Sequence, residues 1–217
     1  MAVQPHSSWE RHAEEGTRFT APGPGEAFFD LVPPEGLLLD LGCGYGRTMA
    51  DLFRRGYRRV VGVDAAPAML RRARAGEPDA GLAAASAGAL PFADGAFDAV
   101  IAVALFTCIP DLDDQRRAAD EIFRVLRPGG VFCASFFLLN RDARNRARYR
   151  RGARPGSRDW GLFRLEPDTR LRHHSLTYLR RRFRRFRWLE NGVARFETMG
   201  GHTSRGLRLL AVKEAGR

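Results

Sequence analysis

The chain has 217 residues and is 44% hydrophobic, enough to enclose one full core and to predict a single domain, 1–217. No stretch reaches the roughly 18 apolar residues of a membrane span, and the first residues carry no signal-peptide pattern, so a cytoplasmic protein is expected. The three cysteines lie far apart with no C-x-x-C pair, which argues against a disulfide framework and against zinc, and the net charge of +11 is local: residues 141–187 hold 17 arginines against four acids.

In chain order, a polar N-terminal segment with Trp9 and Phe19 precedes a short helix near 25–31, closed by Pro33-Pro34. The apolar run 37–41 reads as a strand, 46–55 as its helix with Gly56 as C-cap, and 60–64 as a second strand. Pro67 suits the first turn of a helix to about 75, followed by a weak strand at 82–85 and a nearly all-apolar one at 97–103. An amphipathic helix over 111–126 ends at Pro128-Gly129-Gly130, which turns into a strand at 131–138. After Asn140 the chain becomes Arg, Gly and Pro with scattered aromatics to about 167. A helix is predicted over 174–188, with Leu176, Leu179, Phe183 and Phe186 on one stripe, then strands near 193–199 and 206–212.

The most informative stretch is Leu39-Asp40-Leu41-Gly42-Cys43-Gly44-Tyr45-Gly46, followed by Val63-Asp64. Each strand ends in an acid, and glycines stand at every second position between them. Such a strand–turn–helix–strand unit holds a nucleoside in the crevice above the strand ends. A dinucleotide loop would read G-x-G-x-x-G, but Arg47 stands where its third glycine belongs, and the chain has no G-x-x-x-x-G-K-[ST] loop. Asp40 would repel a phosphate but suits an ammonium group. Asp64 suits the two hydroxyls of a ribose. A cationic amino acid joined to a nucleoside describes S-adenosyl-L-methionine (SAM).

With these residues in place, the chain resembles the class I SAM-dependent methyltransferases, in their small-molecule branch. The likeness runs over residues 37–137 and has four ordered parts: the glycine turn, Gly62-Val63-Asp64, the segment 90–100 from Leu90-Pro91-Phe92, and Arg124-Val125-Leu126-Arg127-Pro128-Gly129-Gly130. It implies an α/β, Rossmann-like, doubly wound sheet of seven strands, mostly parallel with an antiparallel last strand. It also implies that Asp40 and the backbone of Gly42, Cys43, Gly44 and Gly46 hold the methionine end of SAM. Asp64 would bind the ribose, with Ala65, Met69, Ser86 and Ala87 near the adenine and Val103 also on the cofactor. Two positions depart from the family pattern. Ser86 stands where many relatives have an Asp for the adenine amino group, and Cys108 where they often have a His; Cys108 then reads as a wall and not as a nucleophile.

The resemblance further implies that acceptor determinants lie after the fifth strand, so 140–174 is expected to be a basic lid facing an N-terminal helical lid segment, 1–34. Catalytic candidates are His173, His174 and Tyr149. Phe106, Cys108, Asn140, Trp160 and His202 are expected on the acceptor side, and His174-Ser175 equally suits a helix cap. The expected activity is methyl transfer to O, N or S of a small molecule, with the arginines admitting an anionic one and the lid able to pair in a homodimer. The alternatives are an RNA-modifying methyltransferase gripping phosphates through 141–187, and a SAM-binding protein without catalysis. The run after the fourth strand argues against base-methylating DNA enzymes, because it has neither an [N/D/S]-P-P-[Y/F] loop nor a Pro-Cys pair.

Overall fold

The computed structural model describes residues 7–77, 79–165 and 168–214; residues 1–6 of the expected N-terminal lid and 166–167 of the basic lid lie outside the described residues. Nine strands appear among them: β1 (Leu38–Leu41), β2 (Val60–Asp64), β3 (Gly81–Ala84), β4 (Phe97–Val103), β5 (Leu126–Phe137), β6 (Leu162–Leu165), β7 (Thr169–Arg172), β8 (Phe186–Glu197) and β9 (Thr203–Lys213). The helices are α1 (Ser7–Glu14), α2 (Glu26–Leu31), α3 (Arg47–Arg54), α4 (Pro67–Gly76), α5 (Leu105–Cys108), α6 (Leu112–Val125), α7 (Ala143–Arg150) and α8 (Leu176–Arg182).

Seven strands form one sheet in the order β3-β2-β1-β4-β5-β9-β8. Those from β3 to β5 run parallel, and β9 lies antiparallel between β5 and β8. This is the doubly wound sheet with an antiparallel last strand that the resemblance implied. Strand order reverses at β1, with β2 on one side and β4 on the other, so the crevice opens above the tips of these strands.

The sheet is covered on both faces, which is why its central strands are apolar at consecutive positions. Leu39, Val100 and Phe132 face Ile122 and Val125 of α6 and Leu179 of α8. Leu38, Ala99 and Ile101 pack on the opposite side with Phe28 of α2 and Met49 and Leu52 of α3. Gly62 makes that second face possible: a Cβ there would overlap Met49 and come within 2.9 Å of Leu82.

Two expectations need correction. The helix expected over 174–188 ends at Arg182, and Phe186 opens β8, paired with Lys213. The aromatic spacing is real, since Phe183 and Phe186 both pack on Phe132, but Phe186 does so from an extended segment that completes β9's ladder. The stretch read as irregular after Asn140 contains α7 and the β6–β7 hairpin. Asp142 caps α7 by accepting from the backbone N–H of Asn145 at 3.0 Å. Only Asn145 and Tyr149 of this helix are buried, so it carries no apolar stripe for periodicity to reveal.

Candidate active site

A single cavity of about 570 Å³ runs from the glycine turn to the β6–β7 hairpin. At its first end, Gly42, Gly44 and Gly46 have φ of 73°, 54° and 84°, the left-handed region that glycine alone enters without strain. Side chains would also obstruct the turn, because a Cβ on Gly42 would lie 2.8 Å from Leu105 Cδ1 and one on Gly44 3.2 Å from Phe19. The Asp64 carboxylate is held at the tip of β2 by N–H groups of Gly44 and Ala66, each at 2.9 Å.

Asp64, Ala65, Met69, Ser86, Ala87 and Val103 line the cavity, as do Gly42, Cys43 and Gly44. Ser86 Oγ accepts from Gly88 N–H at 3.3 Å, and Met69 belongs both to the wall and to a small apolar cluster with Ala13, Ala66 and Ala68. Asp40 and Gly46 are not on the wall. Gly46 caps α3 with its Cα side against Ala73. Asp40 lies behind Leu41, 1% exposed, and its Oδ2 has no hydrogen-bond partner among the described residues. Burial pushes its carboxyl up to about 7, with Arg47 opposing and Asp64 adding to the rise. A buried, unpartnered carboxyl oxygen under a glycine cradle fits the cationic end of SAM.

The run after β4 opens with Ala104, the one described non-glycine residue with positive φ, at 55°. Its N–H donates to Ser135 O at 3.0 Å and Ser135 Oγ at 3.2 Å, which holds this strained residue on the cavity wall. Cys108 is also on the wall; its Sγ donates to Ala104 O at 3.5 Å, and burial pushes its thiol up to about 12. A thiol so hard to ionise is a poor nucleophile.

The second end is assembled from distant segments. Phe19 and Ala21 cover the glycine turn: Phe19 N–H donates to Tyr45 Oη at 3.2 Å, and Arg47 donates to the Ala21 carbonyl. Trp9 of α1 lines the cavity, and α1 reaches the hairpin through Arg11–Asp168 at 2.6 Å and His12 Nε2 to Thr169 Oγ1 at 3.0 Å. Phe163, Leu171 and His173 form the hairpin-side wall, Arg144, Arg148 and Arg170 contribute the cations, and Met199 and His202 come from the β8–β9 turn.

Of the catalytic candidates, only His173 lines the cavity. Tyr149, fully buried, sits behind it with Oη 2.7 Å from His173 Nδ1. Because Tyr149 Oη accepts from Asn140 N–H at 3.3 Å, its own proton points to Nδ1, and the remaining proton of the neutral ring belongs on Nε2. Burial pushes His173 down to about 3, helped by the neighbouring His174 and Arg148. That makes it a weak base. His174 is a correction: it points into the opposite side, stacked on Tyr178 with Nε2 3.2 Å from Gln115 Oε1, and does not reach the cavity. On the acceptor side Cys108 and His202 are on the wall, whereas Phe106, Asn140 and Trp160 are not. Phe106 is core between Phe136 and Phe183, Asn140 donates to Ser204 Oγ and Leu138 O, and Trp160 buttresses Tyr149 from outside. Among the described residues no metal-binding cluster exists and no helix is long and apolar enough to cross a membrane.

Residues missed in the sequence are Arg144, Arg148, Arg170, Phe137 and Phe163. The i, i+4 spacing of Arg144 and Arg148 was the available signal, but it was lost in a run with many arginines.

Residues 39–134 match the family described as "Methyltransferase domain". A probable S-adenosylmethionine-dependent methyltransferase of Mycolicibacterium smegmatis is 40% identical over 98 residues, covering 45% of this chain and 37% of that protein. A 2-methyl-6-phytyl-1,4-hydroquinone methyltransferase of Synechocystis is 35% identical over 105 residues, covering 47% of this chain and 32% of that protein. The chain thus spans well under half the length of either relative. A SAM-dependent methyltransferase structure from Methanosarcina mazei superposes with a TM-score of 0.84 at 25% identity, covering 90% of this chain and all of that one. Glycine cradle, strand order and domain match converge on one family: residues 39–134 match a methyltransferase domain, and the whole chain is similar in sequence and fold to the class I SAM-dependent methyltransferases.

Proposed function

We propose that this protein transfers the methyl group of SAM to an O, N or S atom of a small molecule bound in the hairpin-side half of the cavity. The observation that carries the reading is the continuity of one cavity from the glycine turn to an apolar chamber closed by two separate segments. SAM, held by the glycine turn and Asp64, would supply an electrophilic methyl carbon on a sulfonium. The chain's task is alignment and exclusion of water, which accounts for roughly 7–11 kcal/mol in well-oriented reactions. Phe19, Trp9 and Phe163 exclude water, and α1 with the hairpin forms the lid, latched by Arg11 on Asp168. His173 positions the acceptor as a hydrogen-bond donor through Nε2, and Tyr149 holds its tautomer.

The RNA alternative draws on the arginines of 141–187. They do not form one stripe: Arg158 pairs with Asp113, Arg172 with Asp159, Arg185 with Asp120 and Arg187 with Glu214 on different faces, while Arg144 and Arg148 turn inward. Calorimetric titration with SAM and S-adenosylhomocysteine tests the cofactor half. Micromolar binding that Asp64→Ala weakens about 100-fold is expected; no binding by the wild type would overturn the reading. Radiolabelled methyl transfer, compared between pooled phenols, amines and thiols and bulk tRNA, then decides the acceptor class.

A further inference from the structure

Guanidinium groups inside a largely apolar chamber are costly unless an anion meets them. Two such groups, the half-buried Arg144 and Arg148, line the acceptor half of this cavity, and the exposed Arg170 stands at its edge. Arg144 and Arg148 stand four residues apart on α7, so both project from one face, and Arg170 approaches from β7. None of the three has an ion pair or a side-chain hydrogen bond among the described residues, although their neighbours Arg11, Arg158 and Arg172 all pair with carboxylates. Arg144 Nη1 is sealed from solvent with no partner. Arg148 lies 5.4 Å over the ring of Phe163, and burial, followed by the charge of Arg144, lowers its pKa.

The acids nearby are already engaged. Asp142 accepts from Asn145 N–H and Nδ2 at 3.0 and 2.8 Å, Asp111 accepts from the N–H groups of Asp113 and Asp114, and Asp114 pairs with Arg117. Beside the arginines the wall is aromatic and flat. The rings of Phe137 and His173 stack at 5.7 Å and 17°, and Phe163 stands edge-on to His173 at 4.8 Å.

We propose that the acceptor is an anionic aromatic molecule, its carboxylate or phosphate held by Arg144, Arg148 and Arg170 and its ring lying along Phe163 and the Phe137–His173 stack. This rests on the methyltransferase reading and narrows its acceptor. A guanidinium fork matches either anion in a bidentate fashion. The anionic group anchors one end, so the nucleophilic atom lies at the other, toward the glycine turn and within reach of the methyl donor. Neutral phenols and amines of the same shape would leave the three cations unmet.

The test uses the full chain saturated with S-adenosylhomocysteine and titrated with 6-hydroxy-2-naphthoate, its methyl ester and 2-naphthyl phosphate, with a parallel series from benzoate to anthracene carboxylate. At least one anion is expected to bind about tenfold or more tightly than the ester, the equivalent of ~1.4 kcal/mol. The stronger of carboxylate and phosphate identifies the anion. In Arg144→Gln/Arg148→Gln the preference is expected to shrink to about twofold, with affinity for S-adenosylhomocysteine unchanged. Should that variant fold poorly, Arg170→Gln at the exposed hairpin edge is expected to reduce the preference about threefold. Equal binding of acid and ester, a preference that survives the double variant, or no binding by any anion of the series overturns the proposal. Failure of S-adenosylhomocysteine itself to bind is a separate result, and it overturns the underlying reading instead.

Discussion

The two ends of the cavity are built by opposite means. At the glycine turn, residues 40–46 and Asp64 lie within 25 positions of one another, and backbone N–H groups do most of the holding: Gly44 and Ala66 fix Asp64, and Val63 O accepts from Gly42 and Cys43 at 2.7 and 3.0 Å. At the hairpin end, the wall is drawn from α1, α7, the β6–β7 hairpin and the β8–β9 turn, held by side-chain pairs such as Arg11–Asp168. The first end can change little without losing its ligand. The second can exchange one segment at a time, which is how one fold serves many acceptors.

The largest effect that would break this division comes from Asp64→Ala. Losing a carboxylate that is already oriented for charge-assisted bonds should weaken S-adenosylhomocysteine about 100-fold by calorimetry, at roughly 1.5–3 kcal/mol per such bond. Binding of 6-hydroxy-2-naphthoate should change by less than about twofold, since sites without shared partners behave additively. A comparable fall in both would mean that the two ends are one cooperative unit.

Acid should destabilise the chain through two buried histidines, His173 on the cavity wall and His174 behind it against Gln115. The buried Asp40, pushed up to about 7, takes up its proton in the folded chain and acts with the opposite sign. His173 and His174 are held neutral by burial, each near 3 against an ordinary value of 6.5. Unfolded chains therefore take up protons that the folded chain refuses between these values. The stability this confers is complete above pH 6.5 and falls as the pH drops toward 3. His174 alone should contribute about 2 kcal/mol of loss between pH 6.5 and 5, at ~1.4 kcal/mol per pH unit. Urea midpoints at pH 7, 6 and 5 should show a shallower slope in His174→Asn; an unchanged slope would refute the burial argument.

Tyr149→Phe removes both the proton that fixes His173 Nδ1 and the acceptor for Asn140 N–H. Leaving those groups unsatisfied should cost ~1–3 kcal/mol of stability. The turnover number should fall about tenfold while affinity for S-adenosylhomocysteine stays constant, as expected for a group that positions the acceptor. A variant in which KM alone rises would place His173 in uniform binding and not in alignment.

What the sequence made legible follows the same division. Strands 60–64 and 97–103 are found at the expected residues, and the turn between Asp40 and Gly46 has the geometry its glycines require, because those features are local. The Arg–aromatic spacing near 3.6 over 183–188 predicts helix, yet it is satisfied equally by Phe183 just past α8 and Phe186 opening β8, which meet the same Phe132. Tyr149 and His173 drew notice as polar aromatics, but their contact spans 24 positions and exists only because Gly161, at φ 105°, lets the hairpin close against the His173 carbonyl. Arg144 and Arg148, which line the cavity, share their i, i+4 spacing with Arg146 and Arg150, which are exposed, so the spacing groups each pair on a face without saying which face turns inward.

The smallest effect sharpens the comparison most, because it asks whether one residue can tune the local end. Ser86 is an exposed wall residue whose hydroxyl already accepts from Gly88 N–H. Ser86→Asp would keep that turn bond and offer a charged acceptor to the adenine amino group, a stronger bond than a neutral hydroxyl makes. The gain is opposed, since Asp64, Asp111 and Asp114 already share the same wall and a further negative charge raises the cost of each. At an exposed site these contributions nearly cancel, so affinity for S-adenosylhomocysteine should rise only about threefold, and less at low salt than at high salt, where repulsion among the acids is screened. A fall in affinity that salt restores would show that the acids outweigh the new bond, and that serine stands at this position because its neighbours leave no room for another charge.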